Sequence, residues 1–228
     1  MDAERLEYIR SIFKGSLLNL KDTLLMMASL TDRNLTTALG AYLERDDQKA
    51  LTVEDEDSVI DRLEMDIDDM VVTYLATHGP MATECRMAFC ASKISPALES
   101  IADQAVSIAR RARLLNALPE INSGVDILPM GKTVVSMIRD AINAFVEVRP
   151  DQAAPIVLLD KTVDAINREN ERLLHRVMAE DTKNIPAYIH LMFISRALER
   201  AGDYAKHIAE DVHFLYTAHD IRHERRVG

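Results

Sequence analysis

Apolar residues recur at helical spacing along almost the whole chain. Leu6, Phe13, Leu20 and Met27 are seven apart, and Leu17 and Leu24 follow two of them by four. This stripe predicts a first helix from about residue 3 to about 45, ended by Asp46-Asp47. A second is expected from about 48 to 78, stopping at His78-Gly79. Pro80 then opens a third, because a proline in the first helical turn gives up no hydrogen bond. That helix continues to about 117 with a kink expected at Pro96. The stretch Pro119 to Gly131 is rich in proline, glycine and polar residues and reads as a linker. Helices follow at about 131–149, 152–180 and 186–219, separated by Arg149-Pro150-Asp151 and Asn184-Ile185-Pro186. Neither an Asn-Gly hairpin nor sustained alternation signals a strand.

Each half therefore holds three helices, and the halves match in detail. Ala97-Leu98-Glu99-Ser100-Ile101-Ala102-Asp103 in the first corresponds to Ala197-Leu198-Glu199-Arg200-Ala201-Gly202-Asp203 in the second. Upstream, Asp57, Asp61 and Glu64 correspond to Asp160, Asp164 and Asn167. A repeat of roughly one hundred residues is too long for a solenoid unit. The expected fold is all-α: two tandem three-helix bundles, over residues 1–118 and 125–223.

The acidic positions change the picture from architecture to chemistry. At about 100° per residue, Asp57, Asp61, Glu64 and Asp68 share one stripe beside the apolar face made by Ile60, Leu63, Ile67, Met70 and Tyr74. Asp160, Asp164 and Glu171 repeat it. The third helix of each half adds Glu99 with Asp103, or Glu199 with Asp203, and Glu210 extends the latter where the first half has Arg110. Like charges four apart destabilise a helix by a few tenths of a kcal/mol each. One such stripe reads as a solvated acidic face. Its duplication at the same spacing favours a bound cation, since hard cations take carboxylate oxygens. Three acids on the second-half stripe against Arg110 in the first rank the second half as the stronger cation site.

Composition excludes several alternatives. A net charge of −10 opposes nucleic-acid binding, which needs a basic footprint. No apolar run is long enough to span a membrane, and Met1-Asp2-Ala3-Glu4-Arg5 does not begin a signal peptide. Cys85 and Cys90 lie five apart on one helix, point in different directions and are expected to be reduced thiols. The chain has no phosphate-cradling glycine loop, no Cys-x-x-Cys, no Gly-x-Ser-x-Gly and no Glu-x-x-His of the di-iron bundles. His207, one turn beyond Asp203, reads as a surface residue, and the basic run Arg222, His223, Arg225 and Arg226 as a tail.

The ordered set Asp57-x-x-x-Asp61-x-Leu63-Glu64, Leu98-Glu99-x-Ile101-x-Asp103, Asp160-Lys161-x-Val163-Asp164 and Ala197 to Asp203, with the ending Ala209-Glu210-Asp211-Val212 and Asp220-Ile221-Arg222-His223, resembles the PhoU family over residues 5 to 223. The resemblance implies metal ions, whether iron, zinc, manganese or magnesium, on Asp57, Asp61, Glu64, Glu99, Asp103, Asp160, Asp164, Glu199, Asp203 and Glu210. It implies a cytoplasmic regulator, not an enzyme and commonly a homodimer. Such a regulator acts between the ATPase of a phosphate ABC transporter and a phosphate-sensing histidine kinase, and restrains phosphate uptake and the starvation response. Ser100, Ala102, Arg110, Glu84-Cys85 and Asn167 depart from the usual family pattern, which weakens a metal site in each half. A metal-dependent hydrolase or metal-storage bundle using the same carboxylates is the alternative. The missing histidine ligand and nucleophile favour the regulator.

Overall fold

The computed structural model describes the backbone of residues 3–219 and 221, with side chains from Ser16 onward except His78. The side chains of Leu6 and Phe13, and the run Arg222, His223, Arg225 and Arg226, lie outside the described residues. Six helices follow in order: α1 (Ala3–Leu43), α2 (Asp47–His78), α3 (Ala82–Asn116), α4 (Ile127–Glu147), α5 (Ala153–Glu180) and α6 (Ile185–Thr217). Short 3-10 turns at Pro150–Gln152 and Thr182–Asn184 lead into α5 and α6. No strand occurs among the described residues.

The helix boundaries follow from caps. Asp46 does not merely end α1; its carboxylate accepts from the backbone N–H groups of Gln48 and Lys49 and so starts α2. Gly79 then closes α2 at φ 54°, a left-handed conformation in which only glycine is unstrained. Pro80 does not open α3 as expected but precedes it by two residues. There the Glu84 carboxylate accepts from Met81 N–H at 3.0 Å, satisfying a donor at the helix start. Pro96 lies inside α3, which continues through it.

The linker is shorter than the sequence suggests. Asp126 accepts from Leu128 N–H at 3.1 Å and begins α4 four residues before the expected start, placing Gly131 inside the helix. Pro129 is tolerated because first-turn N–H groups have no intrahelical partner. Gly131 permits a close approach: a Cβ there would lie 2.8 Å from Leu39 Cδ1 of α1.

α1, α2 and α3 pack as one bundle and α4, α5 and α6 as another. The bundles meet mainly along α3 and α6, with a smaller contact between α1 and α4. Arg86 bonds Leu215 O at the start of α3, and Arg111 approaches His190 near its end, so α3 and α6 run antiparallel over most of their length. Small buried residues line these two helices, including Ala88, Ala91, Ala105 and Ala109 on α3 and Ala197, Ala201, Ala205 and Ala209 on α6. They allow close helix packing across the join, and a single continuous core runs through both bundles. Ile94, Leu98, Ile101 and Ile108 are completely buried in it; each such side chain contributes about 1.5–3 kcal/mol of transfer free energy.

Arg45 fastens the first bundle. It follows α1 at φ 53°, and its guanidinium donates to the carbonyls of Leu115, Asn116 and Leu118 at 3.2, 2.9 and 2.8 Å. A cation thus meets the carbonyls at the C-terminal end of α3, where the helix dipole favours positive charge.

Candidate cation sites on the acidic helices

The second and third helices of each bundle carry the acids because each exposes the flank of an amphipathic stripe. In the first bundle the apolar side of α2 (Ile60, Leu63, Ile67) is buried, leaving Asp57 and Glu64 half-buried and Asp61 exposed. α3 brings Glu99, half-buried, and Asp103, exposed, against them. The five carboxylates act on one another electrostatically. Burial first, then Asp61 and Asp103, push the Asp57 carboxyl up, opposed by Arg110. Burial, then Asp68 and Asp61, push up Glu64. Glu99 is the most perturbed: burial, then Asp103 and Glu64, raise it to about 6, although Ser100 Oγ donates to its Oε2 at 3.3 Å.

Arg110 acts on Asp57 from the edge of this cluster, but its ion pair lies elsewhere. Its Nε lies 3.3 Å from Glu54 Oε2, and Arg113 holds the other oxygen of the same carboxylate at 2.9 Å. Glu54 thus shares Arg110 with the cluster.

In the second bundle, α5 and α6 bring together Asp160, Asp164, Glu199 and Asp203, but with a cation of their own. Lys206 Nζ lies 3.0 Å from Asp160 Oδ2 and also bonds Asp203 Oδ1. Burial opposes the Lys206 charge, but its two carboxylate bonds outweigh burial and raise its pKa. Asp160 is buried; burial raises its carboxyl, and Lys206 pulls it back. Its Oδ1 is buried without a hydrogen-bond partner. Burial, then Asp164, Asp203 and Asp160, raise Glu199. His207, exposed, stands 3.8 Å from Asp203 Oδ2, consistent with a surface residue.

One expected member, Glu210, falls outside this group, and Asn167, at the position equivalent to Glu64, does not face it. Glu210 is buried farther along α6 and is not among the charges that raise Glu199 or Asp160. Asn167 is turned into the interior, where Ser195 Oγ donates to its Oδ1 at 2.8 Å while Asn170 Nδ2 donates to Ser195 Oγ at 3.0 Å. It belongs to a buried polar chain between α5 and α6, not to the acidic face.

The two halves differ in the cations that meet their carboxylates. Among the described residues no lysine or arginine is ion-paired with a first-half carboxylate of the cluster, and Arg110 acts only on Asp57 from a distance, whereas in the second Lys206 pairs with Asp160 and Asp203. The signal was present in the repeat: with an offset of one hundred, Lys206 corresponds to Val106, which is buried and apolar. Chemically, the first-half carboxylates suit a hard divalent cation, because added positive charge relieves the repulsion and burial that raise Glu99. As arranged, no three Asp, Glu, His or Cys side chains among the described residues converge on one point. Cation binding there requires side-chain rotation on the α2 and α3 flanks.

The remaining chemistry is sparse. Cys85 is an exposed thiol and Cys90 a buried one that donates to Asp211 O at 3.4 Å, and neither forms a disulfide. No helix among the described residues is long and apolar enough to cross a membrane.

Comparison with known proteins matches both halves separately. The model of the PhoU domain matches residues 24–112 and again 127–212. The phosphate-specific transport system accessory protein PhoU homolog of Pseudomonas putida is 34% identical over 95% of this chain and 85% of its own length. The accessory protein PhoU of Escherichia coli is 28% identical over 95% of this chain and 90% of its own. The crystal structure of PhoU from Pseudomonas aeruginosa superposes with a TM-score of 0.88 at 32% identity, covering 91% of this chain and all of that one. The PhoU structure from Streptococcus pneumoniae, at 24% identity and a TM-score of 0.79, shares the fold. A duplicated domain match, full-length similarity and the same six-helix architecture agree: the chain belongs to the PhoU family.

Proposed function

We propose that this protein is a cytoplasmic regulator of phosphate transport that couples the ATPase of a phosphate ABC transporter to a phosphate-sensing histidine kinase. In phosphate-rich conditions it restrains uptake and keeps the starvation response off. The observation that carries this reading is the two-fold PhoU-domain match spanning most of the chain, shared with relatives named as accessory proteins of the phosphate-specific transport system. The molecule supports a binding role over a catalytic one: long helices present acidic flanks, which favour docking onto basic protein surfaces and set encounter rate and partner choice.

Metal belongs to the proposal. Asp57, Asp61, Glu64, Glu99 and Asp103 hold a divalent or trivalent ion in the first bundle, and Asp160, Asp164, Glu199 and Asp203 hold one more weakly against the competing Lys206. The raised Glu99 carboxyl supports the first assignment, since a bound cation favours its charged form. The working unit is a homodimer.

Deleting the gene in its host and following a starvation-gene reporter in phosphate-rich medium tests the regulatory role. Derepression is expected, with the transporter ATPase and the kinase recovered on the tagged wild-type protein from solubilised membranes. Normal repression in a strain lacking any second homologue would overturn it.

A further inference from the structure

α3 and α6 border a groove of about 550 Å³, within the size range of small-molecule sites. Arg110 and Arg111 reach it from α3 and Arg200 from α6, with Ser107 and Gln104 between them. Carboxylates outnumber basic residues 37 to 27 in this chain, so arginines have many potential partners. These three are nonetheless under-paired. Arg110 makes one 3.3 Å contact with Glu54, whose closer partner is Arg113. Arg111 has no carboxylate partner; it lies 4.2 Å over the Phe193 ring, with Nη1 3.3 Å from His190 Nδ1. Arg200 has no ion-pair partner among the described residues. Asp57 and Asp103 line the same groove, yet neither lies within ion-pair distance of its arginines.

Glu54 takes up the charge of Arg110, which leaves Arg111 and Arg200 as the guanidinium groups of the groove without a carboxylate partner, beside Asp57 and Asp103. Two of the three are already positioned, Arg111 by the Phe193 face and His190 and Arg110 by Glu54, so less side-chain freedom is lost when a ligand arrives. Ser107 adds a hydroxyl and Gln104 an amide donor. Val106 and Leu114 give the groove an apolar wall, which leaves room for a carbon substituent beside the charged group.

From this set we infer that the α3–α6 groove binds a small tetrahedral oxyanion of the phosphate type, free or as a monoester. Arg200 and Arg111 grip its oxygens, the planar guanidinium fork suiting that geometry. The groove is bounded by both bundles, so an anion seated there bridges them. The inference rests on the arginines alone and stands whether or not the transporter reading does.

Calorimetric titration of the full chain with inorganic phosphate and with AMP, at fixed ionic strength and with chelator present, tests it. Saturable binding of either is expected. Phosphate saturating by itself identifies the free anion as sufficient, and saturation by AMP alone identifies an ester. Arg200→Ala should weaken that binding at least tenfold, and Arg111→Lys, which keeps charge but loses the fork, by a smaller factor. Arg62→Ala, an exposed arginine on α2 away from the groove, should leave it unchanged. Arginine side-chain NMR resonances give a second readout: those of Arg111 and Arg200 should move on titration and that of Arg62 should not. No saturable binding of either ligand, or binding in Arg200→Ala equal to wild type, overturns the assignment.

Discussion

Replacing Glu99 by Gln removes one charge from the first-bundle cluster while keeping the shape of the side chain. The Glu99 carboxyl stands at about 6 against an ordinary value of 4.5, because burial and the charges of Asp103 and Glu64 disfavour its ionised form. At roughly 1.4 kcal/mol per tenfold, that displacement sets a ceiling of about 2 kcal/mol on the penalty of ionising Glu99 in the folded state. The group is only half-buried, and screening by solvent and salt reduces the figure to about 0.5–1 kcal/mol. The sign follows from proton binding. Between about 4.5 and 6 the folded state holds more protons on Glu99 than the unfolded state does, so this group's contribution to stability falls as pH rises through that window. Metal-free Glu99→Gln should therefore be more stable than wild type by about 0.5–1 kcal/mol near pH 7.5. In a chain of this size that is a rise in Tm of roughly 1–4 °C. Near pH 4.5 the wild-type carboxyl is itself mostly protonated and the advantage should shrink toward zero.

Denaturant titrations of both proteins in chelator, across that pH range, measure the difference directly. Manganese or iron should then invert it: the ion stabilises wild type by mass action and the variant less, because Gln supplies a weaker, uncharged ligand. A gain that persists unchanged at low pH would place its origin in packing and not in charge. No gain at neutral pH would mean that the cluster carries no strain for a cation to relieve.

Other perturbations probe features that the Glu99 experiment leaves untouched. Lys206→Met should cost about 3 kcal/mol at neutral pH by leaving buried Asp160 without its partner, read from chemical denaturation, and should strengthen metal binding in the second bundle. Val148→Gly should stabilise by about 1 kcal/mol, since Val148 ends α4 at φ 59° with its side chain largely exposed; a loss of stability in thermal melts would contradict this. Gly131→Val should destabilise by about 2 kcal/mol through collision with Leu39, and Leu39→Ala in the same chain should recover part of that loss in a double-mutant cycle.

Most of the fold was legible because its signals are local. Helical periodicity, the duplicated Leu-Glu-x-x-x-Asp segment and the proline and glycine punctuation each act within a few turns of chain. Local signals fall short where one residue serves two elements. Asp46 marks the end of α1, and its carboxylate also starts α2. Gly131 carries a linker signal, yet it lies inside α4, where a Cβ would collide with Leu39. The acidic faces were visible as stripes, but their strength was not. Whether a carboxylate is relieved depends on which cation folds onto it, and Lys206 reaches Asp160 from another helix, 46 residues away in sequence. Arg110 likewise shares its stripe with acids while its ion pair is with Glu54 on a neighbouring helix, which no local spacing signals.

The asymmetry between the bundles bears on how one fold can hold a structural and a responsive half. Replacing Val106 by Lys206 at the repeat-equivalent position converts an open acidic cluster into one that carries its own counter-ion. Such a counter-ion is always present, so Asp160 and Asp203 are partly relieved whatever the surrounding metal concentration. The first cluster has no such ion pair, only the more distant Arg110 acting on Asp57. Differential response requires differential interaction: under the proposed metal binding, a cation would bias the arrangement of α2 against α3 more than that of α5 against α6. Because α3 also forms most of the join with α6, any change in how α2 holds α3 acts on the helix that connects the two bundles. The groove lined by Arg110, Arg111 and Arg200 lies along that same join and shares Asp57 and Asp103 with the first cluster. A cation on Asp57 and Asp103 would therefore sit beside an oxyanion held by Arg111 and Arg200, and each should raise the affinity of the protein for the other by the same factor.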